Sequence, residues 1–431
     1  MNTDILIVGS GCAGLYCALK LPKDKNILII TKDRVENSDS FLAQGGICML
    51  RDEEDYESFY EDTMRAGHYE NDPKSVEVMI RSSQELIQDL VSFGVDFQRE
   101  EDGSFKFTRE GAHSQKRILF HEDITGKEIT SKLYEQVKKC PNVTLIEKCC
   151  MVDILEEENT CYGVIARMED GMLEPIMAKE TVLATGGIGG LYRHSTNFPH
   201  LTGDALAIAL KHGIELKNIN YIQIHPTTLF SEKKGERSFL ISESVRGEGA
   251  HLYNSKKERF VNELLPRDLL TKEILHQMEA DGTDYVWEDL SVLEPRELTE
   301  HFPNIVDQCK KSGYDVSKEC IPVVPAQHYF MGGIKVNLNS KTSMNQLYAI
   351  GETACNGVHG KNRLASNSLL ESLVFAGRSA KDITETYAVT KKREYRPEEL
   401  DFTPYLDAER LAEEYKTSIL NEIERMNKAH V

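Results

Sequence analysis

Residues 3–21, TDILIVGSGCAGLYCALKL, place an apolar run, a glycine-rich turn and a helix-like run in immediate succession. The first run predicts a buried strand and the last an amphipathic helix. Gly9 allows the sharp turn between them, Gly11 lets backbone approach a pyrophosphate, and Gly14 permits tight packing of the helix. A second apolar run, NILII at 26–30, completes a strand-turn-helix-strand unit. The unit predicts a dinucleotide site at the helix amino terminus.

The residue after the second strand argues against a simple NAD site. An acidic residue that binds a ribose hydroxyl is expected about 20 residues after the glycines. Lys32 stands at the strand end instead, although Asp33 follows it. The candidate cofactor contacts of this unit are Lys32 and the whole turn, Gly9, Ser10, Gly11, Cys12, Ala13 and Gly14.

Two later segments repeat the pattern of a buried strand followed by glycine. They are ETVLATGGIGG at 180–190 and NQLYAIGETA at 345–354. Taken alone, either segment could also be the end of a strand followed by a glycine turn that has no role in ligand binding. Together with the first turn they predict a long ligand held by distant parts of the chain, and the three turns resemble the pattern of FAD flavoproteins. In that arrangement Glu352 would accept hydrogen bonds from ribityl or ribose hydroxyls.

The composition excludes several classes of protein. The 431 residues carry a formal net charge of -19 with a pI near 5.2, so neither a nucleic-acid partner nor an anionic membrane surface is expected. The ten cysteines form no C-x-x-C pair and no cluster at zinc spacing, which predicts reduced thiols in a cytoplasmic protein and no metal site. The amino terminus lacks the basic region of a signal peptide, and no apolar run predicts a membrane anchor.

Further motifs follow one another along the chain in a fixed order. They are SFLAQGG (40–46), HPT (225–227), RGEG (246–249), PRD (266–268), HYFMGG (328–333) and RLASNS (363–368). With these motifs the chain resembles the succinate dehydrogenase/fumarate reductase flavoprotein family from residue 2 to about residue 385. The resemblance implies FAD as the cofactor and a small dicarboxylate as the substrate.

The resemblance also assigns cofactor contacts outside the first unit. These are Ser40, Ala43, Gln44, Gly45, Gly46, Thr185, Gly186, Gly187, Asp204, Glu352, Ser366, Asn367, Ser368 and Leu369. Respiratory members carry a histidine before the A-Q-G-G motif that holds the flavin covalently, whereas this chain has Asp39 there. A carboxylate cannot form that link, so we expect non-covalent FAD.

The stretch HGKNRLASNSLLESLVFAG, residues 359–377, predicts a loop that leads into an amphipathic helix. The resemblance points the first N–H groups of this helix, at 366–368, towards the pyrimidine edge of the flavin. A fixed positive dipole there would stabilise the negative charge that the ring gains on reduction. The alternative is a capped core helix beside an exposed arginine.

Two arginines and two histidines at motif positions predict the substrate site. Taken singly, Arg267 could form a surface ion pair. His225 or His328 could be a buried histidine whose hydrogen bonds are all made within the protein. Together with Arg363 they could hold a dicarboxylate, because guanidinium groups bind carboxylates through paired hydrogen bonds. The resemblance implies this role and adds the hydroxyl of Ser242. It also assigns proton transfer to Arg267, although a guanidinium with a pKa above about 12 is a poor base.

Glu128 is the residue that would select the substrate. It begins the predicted helix EITSKLYEQV, where an exposed acid is favoured by the helix dipole alone. The resemblance to the amino-acid-oxidising branch of the family implies instead that Glu128 pairs with a substrate ammonium. The predicted catalytic residues are Arg267, Glu128, His225 and His328.

The implied reaction is oxidation of L-aspartate to iminoaspartate in NAD biosynthesis, with the flavin reoxidised by oxygen, giving hydrogen peroxide, or by fumarate. It also implies a functional link to quinolinate synthase. Two alternatives remain, namely a soluble or complex-bound fumarate reductase or succinate dehydrogenase flavoprotein, and a non-catalytic flavin-binding redox sensor.

The fold class expected is α/β, with a discontinuous Rossmann-like FAD-binding domain. We predict its two parts at 1–217 and 330–385, separated by an inserted α+β capping domain at 218–329, where the strand-glycine pattern lapses. A short helical tail is predicted for 386–431. Its helix is indicated by apolar residues at helical spacing, Leu411, Tyr415, Ile419 and Ile423. Members of the family usually continue into a longer helical domain, which leaves the oligomeric contacts open.

Overall fold

The computed structural model describes residues 1–233, 236–390 and 400–429. The strands are β1 (Ile5–Val8), β2 (Ile27–Ile30), β3 (Ile47–Cys48), β4 (Ile118–Leu119), β5 (Val143–Ile146), β6 (Cys150–Glu157), β7 (Thr160–Arg167), β8 (Leu173–Met177), β9 (Glu180–Leu183), β10 (Leu216–Lys217), β11 (Ile222–Leu229), β12 (Phe239–Leu240), β13 (His251–Tyr253), β14 (Val286–Asp289), β15 (Ile321–Phe330), β16 (Gly333–Lys335), β17 (Leu347–Ala349) and β18 (Ala354–Cys355). The helices are α1 (Cys12–Lys20), α2 (Tyr56–Ala66), α3 (Pro73–Arg81), α4 (Ser83–Ser92), α5 (Thr125–Val137), α6 (Asp204–Lys211), α7 (Glu243–Gly247), α8 (Arg267–Asp281), α9 (Pro295–His301), α10 (Pro303–Lys311), α11 (Asn367–Thr386) and α12 (Ala408–Ala429).

A parallel sheet with the strand order β17-β9-β1-β2-β5 forms the centre of the FAD-binding part. β1, β2, β9 and β17 are buried along their whole length, because their apolar side chains are covered on both faces. β1 pairs with β2 on one side and with β9 on the other, so the chain crosses over on both sides of β1. Ligands of such sheets bind at the carboxyl ends of the strands beside this switch point. The predicted α/β fold and its first strand-turn-helix-strand unit are confirmed.

The three glycine turns predicted from sequence meet at that edge. Gly9 has a φ of +116°, and a Cβ there would lie 2.0 Å from the carbonyl oxygen of Ala184 after β9. Gly351 follows β17 with a φ of +66°, and its added Cβ would lie 3.2 Å from Ala13. Only glycine fits the close approach of backbone to backbone at Gly9, and the positive φ of Gly351 also favours glycine. The turns therefore form one surface.

A capping unit with its own core lies between β11 and β15. Its antiparallel sheet has the order β12-β11-β15-β14-β13, and α8, α9 and α10 pack on it. The core includes Leu229, Leu252, Leu270, Ile305 and Val323. Because β11 starts and β15 ends at paired residues, Ile222 and Phe330, the unit leaves and rejoins the rest of the chain at one place. The domain limits given above stay predictions.

The carboxyl-terminal helix α12 packs on α6. The apolar positions predicted from helical spacing, Leu411, Tyr415, Ile419 and Ile423, are buried there. The predicted helix is therefore confirmed, while residues 391–399, 430 and 431 of the predicted tail lie outside the described residues.

Asp153 on β6 anchors this region. Its carboxylate contacts His212 Nε2 at 2.7 Å, accepts a hydrogen bond from the Tyr405 hydroxyl at 2.5 Å, and pairs with Lys211. Burial opposes ionisation, but these three partners outweigh it and lower the pKa of Asp153 to about 2. The charged carboxylate thus ties β6 to α6 and to the segment before α12.

Replacing Asp153 with asparagine should destabilise the fold by about 2 kcal/mol at neutral pH, because the variant loses the stability linked to the lowered pKa of this buried carboxylate. The free energy of urea unfolding measures this loss. Since the folded pKa is below the unfolded value of about 3.9, the contribution is complete above about pH 4 and disappears as the pH falls through 2. A difference between wild type and variant that stays constant from pH 5 to about pH 2 would contradict this account.

Candidate active site

The carboxyl ends of the parallel strands open into a large cavity. Its empty volume, which includes the opening to solvent, is about 1710 Å³. The ends of β1, β2, β9 and β17 form one wall, and residues of the capping unit, Leu240 and Arg267 among them, form another. The cavity is therefore bounded by the parallel sheet on one side and by the capping unit on the other.

Most residues assigned to a cofactor from sequence line this cavity. They are Gly9, Ser10, Gly11, Cys12, Ala13, Lys32, Ser40, Ala43, Gln44, Gly45, Gly46, Thr185, Gly186, Asp204, Glu352, Ser366, Ser368 and Leu369. Gly14, Gly187 and Asn367 do not line it. A Cβ on Gly14 would lie 2.1 Å from the Gly9 carbonyl oxygen, and one on Gly187 would lie 2.3 Å from Glu352 Oε1. These two glycines act through packing, and Asn367 turns away to donate to Thr63 Oγ1 at 3.2 Å.

The wall of the cavity fits FAD by its chemistry. The glycine turn leads into the amino terminus of α1, where backbone N–H groups favour a pyrophosphate, and Ser40 Oγ accepts from the N–H of Cys12 at 3.0 Å. Gln44 Oε1 is buried and has no partner among the described residues. A Cβ on Gly45 would lie 2.5 Å from Glu110 Oε1. The turn and the 40–46 segment thus present polar atoms and open backbone to a ligand.

Lys32 and Glu352 have distinct surroundings on the same wall. Lys32 Nζ pairs with Asp204 Oδ2 at 2.6 Å and donates to Thr202 Oγ1 at 2.8 Å. Asp204, the first residue of α6, thus brings a carboxylate to the end of β2. Glu352 accepts from the backbone N–H of Phe330 at 2.9 Å. Burial, and then the nearby Asp39, raise the pKa of Glu352 to about 8.

Two buried arginines lie together at the other part of the cavity. Arg267 Nε pairs with Glu243 Oε2 at 2.6 Å, and its Nη1 donates to Gln223 Oε1 at 2.9 Å. Gln223 Nε2 in turn donates to the carbonyl oxygen of Arg363 at 2.9 Å. The Arg363 guanidinium stacks over the Tyr329 ring at 4.7 Å. Gln223 therefore couples the positions of the two cations.

The two predicted histidines stand beside these arginines as neutral rings. Their ring centroids are 5.1 Å apart. Burial, and then the positive charge of Arg267, hold the pKa of His225 and of His328 well below the usual range. His328 Nδ1 is hydrogen-bonded to Thr196 Oγ1 at 2.7 Å, whereas His225 Nε2 has no partner among the described residues. Neutral imidazoles add hydrogen-bonding groups without further charge.

Ser242 and the start of α11 complete this part of the wall. Ser242 caps α7 by accepting from the N–H of Ser244 at 3.3 Å. Ser366 has a φ of +61° directly before α11, and Ser368 Oγ accepts from Arg363 Nη1 at 3.2 Å. The amino terminus of α11 therefore lies at the cavity, next to a cation that could hold a substrate carboxylate.

Glu128 lies outside the cavity, unlike the other substrate residues assigned from sequence. It sits in the first turn of α5, and its Oε1 accepts from the backbone N–H of Asp96 at 3.0 Å. The cavity lining does not include it. Glu128 thus has a local structural role in the first turn of α5, where the helix dipole favours an acid. Its carboxylate is occupied by the hydrogen bond to the loop that contains Asp96.

Glu110, which the sequence analysis missed, supplies a carboxylate to the cavity instead. Its Oε2 accepts from Ser366 Oγ at 2.6 Å and its Oε1 from Ser244 Oγ at 2.9 Å. Within the described ranges, no lysine, arginine or histidine nitrogen forms an ion pair with it. Burial, and then the negative charge of Glu243, raise the pKa of Glu110. For Glu243 burial is outweighed by Arg267 and Arg246, which lower its pKa.

The loop that carries Glu110 is fixed by contacts from distant parts of the chain. Arg117 is fully buried and pairs with Asp62 Oδ2 at 2.7 Å and Asp55 Oδ1 at 2.9 Å. His113 Nε2 lies 3.0 Å from the carbonyl oxygen of Ala365. The local sequence TREGAHS, 108–114, gave a weak signal of its own, an acid beside glycine in a polar loop before a buried strand.

The fold and this cavity define an FAD-dependent oxidoreductase whose site joins a dinucleotide cleft to a cationic pocket. Residues 4–369 match the family described as FAD binding domain. An L-aspartate oxidase of Clostridium perfringens is 53% identical over 380 residues, covering 88% of this chain and 86% of the relative. One of Clostridium acetobutylicum is 46% identical over 91% of each chain. The chain therefore belongs to the L-aspartate oxidase family of FAD-binding flavoproteins.

A solved structure supports the same architecture. A variant of the E. coli quinol fumarate reductase FrdA superposes with a TM-score of 0.86 at 29% identity, covering 98% of this chain and 74% of that one. FAD is thus the cofactor of this chain, and the resemblance to the fumarate reductase group is confirmed.

Within residues 1–233, 236–390 and 400–429, no helix combines the length and apolar character that a membrane crossing needs. Over the same residues, no three His, Cys, Asp or Glu side chains are grouped to hold a metal ion.

Proposed function

We propose that the protein oxidises L-aspartate to iminoaspartate, with FAD as its cofactor. The observation that supports this best is the combination of two buried arginines with a buried carboxylate, Glu110, which forms no ion pair with any described residue. A dicarboxylate that also carries an ammonium group matches all three charges. Succinate and fumarate lack the group that Glu110 would bind.

The residues of the cavity bind, orient and deprotonate the substrate. Arg363 and Arg267 take the two carboxylates through charge-assisted hydrogen bonds, and His225, His328 and Ser242 add neutral ones. When bound, FAD supplies the two-electron oxidation by accepting hydride from the α-carbon. Glu110 holds the ammonium and, with its raised pKa, is suited to take the proton that this group loses. Arg267 serves as a clamp for charge, and as a proton donor if fumarate is bound.

The decisive experiment mixes the purified holoenzyme with L-aspartate, D-aspartate or succinate without oxygen. The flavin absorbance at about 450 nm reports reduction. Bleaching by L-aspartate alone supports the proposal. Bleaching by succinate, with no response to L-aspartate, would support a succinate dehydrogenase instead, and no bleaching by any of the three would favour a redox sensor.

The flavin should be held without a covalent bond. Asp39 has one oxygen bound to the N–H of Phe198 at 2.9 Å, while its second oxygen has no partner among the described residues. Burial raises the pKa of Asp39 to about 7, and a carboxyl group does not form the stable link that a histidine does.

Acid precipitation of the holoenzyme should therefore release all the flavin into the supernatant. The absorbance of supernatant and pellet measures its distribution, and a protein with covalently bound flavin serves as the control. Yellow colour that stays with washed precipitate would contradict non-covalent binding.

The proposal extends to the setting of the reaction. The reduced cofactor would be reoxidised by oxygen, giving hydrogen peroxide, or by fumarate. The product, iminoaspartate, would enter NAD biosynthesis in the cytoplasm, with a functional link to quinolinate synthase. Oxygen consumption with and without fumarate distinguishes the two acceptors, because fumarate would suppress it.

A further inference from the structure

Charged side chains continue behind Arg267 into the interior of the capping unit. Arg267 pairs with Glu243 at 2.6 Å. Arg246 lies three residues further along α7, on the same side of the helix as Glu243. It is only 2% exposed, and its Nη1 donates to the carbonyl oxygen of Glu263 at 2.7 Å. These three side chains therefore form a row, Arg267, Glu243 and Arg246, that runs from the cavity wall into the core. Positive and negative charges alternate along it.

Glu288 occupies a core-facing position on β14. Val286 and Glu288 are the buried positions of this strand, while Trp287 and Asp289 are partly exposed. Glu288 is 0% exposed, although the surrounding positions belong to the apolar core of the unit. An acid in such a place is costly unless a partner compensates for its charge.

Arg246 and Glu288 have complementary unsatisfied groups. Arg246 Nε and Nη2, both Glu288 oxygens and Thr271 Oγ1 are buried and lack partners among the described residues. Arg246 and Glu288 act on each other electrostatically, although they do not form a direct ion pair. A polar interior of this kind holds water molecules that bridge donors to acceptors.

Burial leaves Glu288 protonated at neutral pH, and the titratable groups around it modify this effect. Burial raises the pKa of Glu288 to about 8, Arg246 on α7 opposes that rise, and Glu263 before α8 adds to it. Cys309 on α10 also faces it, with a pKa raised to about 12 by burial and by Glu288. The carboxyl group thus ionises only above neutral pH.

We propose that Glu288 is a positioning residue that controls the affinity of the cavity for dicarboxylates through the row Arg267, Glu243, Arg246 and Glu288. This inference rests on the proposed function. While Glu288 is neutral, Arg246 compensates the charge of Glu243, so Arg267 is free to attract substrate. Once Glu288 is ionised, its negative charge attracts Arg246, which then compensates less of the charge of Glu243. Glu243 therefore binds Arg267 more strongly, in competition with the substrate.

The test compares wild type, Glu288→Gln and Glu288→Leu as holoenzymes, with Glu279→Gln as a control at an exposed position of α8. Malonate binding is titrated through the change it causes in the flavin spectrum, from pH 7 to about pH 9.5. The dissociation constant of wild type should rise by about five-fold relative to both Glu288 variants across this range. The Glu279 variant should follow wild type. Two variants at position 288 keep the test valid if one of them folds poorly.

Thermal unfolding provides a measurement that does not depend on the reaction. The folded pKa of Glu288 is raised above its unfolded value of about 4.3, so wild type loses stability as the pH rises from that value towards 8. Glu288→Gln lacks this loss, and the gap between its Tm and that of wild type should widen between pH 5 and about pH 8.

The outcomes distinguish failure of this inference from failure of the proposed function. Malonate binding with the same pH dependence in wild type and Glu288→Gln would overturn this inference alone, as would a Tm gap that does not change with pH. No malonate binding by wild type at any pH would overturn this inference and count against the proposed function as well.

Discussion

Replacing Arg363 with methionine is expected to lower kcat/KM for L-aspartate by about 10³-fold or more. The guanidinium is buried against the Tyr329 ring and bound to Ser368, so its loss would leave a substrate carboxylate desolvated and unpaired. Burial, and then the charge of Arg267, lower the pKa of Arg363 to about 10, which still leaves it cationic at neutral pH. Steady-state kinetics with a coupled peroxide assay measures the loss.

Arg363→Lys is the matched variant for this prediction. It keeps the charge but loses the fork that binds a carboxylate through two hydrogen bonds, so we expect an intermediate activity. The flavin content of both variants should equal that of wild type. If the methionine variant kept most of its activity while retaining flavin, Arg363 would not bind the substrate.

Replacing Glu110 with glutamine should lower kcat/KM for L-aspartate by about 10²- to 10³-fold. Glutamine keeps the shape and one acceptor oxygen for the serine hydroxyls, while its NH2 group must donate to the other serine; the charge that would pair with an ammonium is removed. Binding of malonate, which lacks an amino group, should be unchanged or tighter, because a negative charge near the dicarboxylate has been removed. The contrast between amino-bearing and amino-free ligands is the measurement that identifies the role.

Glu128→Gln is the control for the same experiment. Glu128 is held by the N–H of Asp96 on the outside of α5, so its replacement should leave kcat/KM for L-aspartate within about two-fold of wild type, as for other surface substitutions. If the Glu128 variant lost activity while the Glu110 variant retained it, the assignment based on the structure would be wrong and the one based on sequence correct.

The fold could be predicted because its signals are local. The turn at Gly9, Gly11 and Gly14 specifies a strand, a close approach and a helix within 18 residues, 3–20. The strands that end at 183 and 349 carry the same kind of glycine exit. Each signal depends on a few neighbouring residues, and the parallel sheet brings them to one edge. The carboxyl-terminal helix followed from apolar spacing for the same reason.

The acid of the site could not be predicted because its position depends on contacts between distant segments. Glu110 and Glu128 are both acids within two residues of a glycine in the same part of the chain. Glu110 reaches the cavity because Arg117 fastens its loop to Asp55 and Asp62, which lie more than 50 residues earlier. A buried arginine in an otherwise polar loop gives little indication of its partners in sequence. Pairing of this kind is set by tertiary structure alone.

The paired strands β11 and β15 carry a consequence for protein engineering. Their register joins Ile222 to Phe330, so the capping unit enters and leaves the molecule through two adjacent backbones. A graft at these two points changes neither the order of the parallel sheet nor the glycine turns. Capping units from related oxidoreductases could therefore be exchanged on this scaffold. Such an exchange would combine the substrate-binding histidine and arginine of one enzyme with the coenzyme cleft of another.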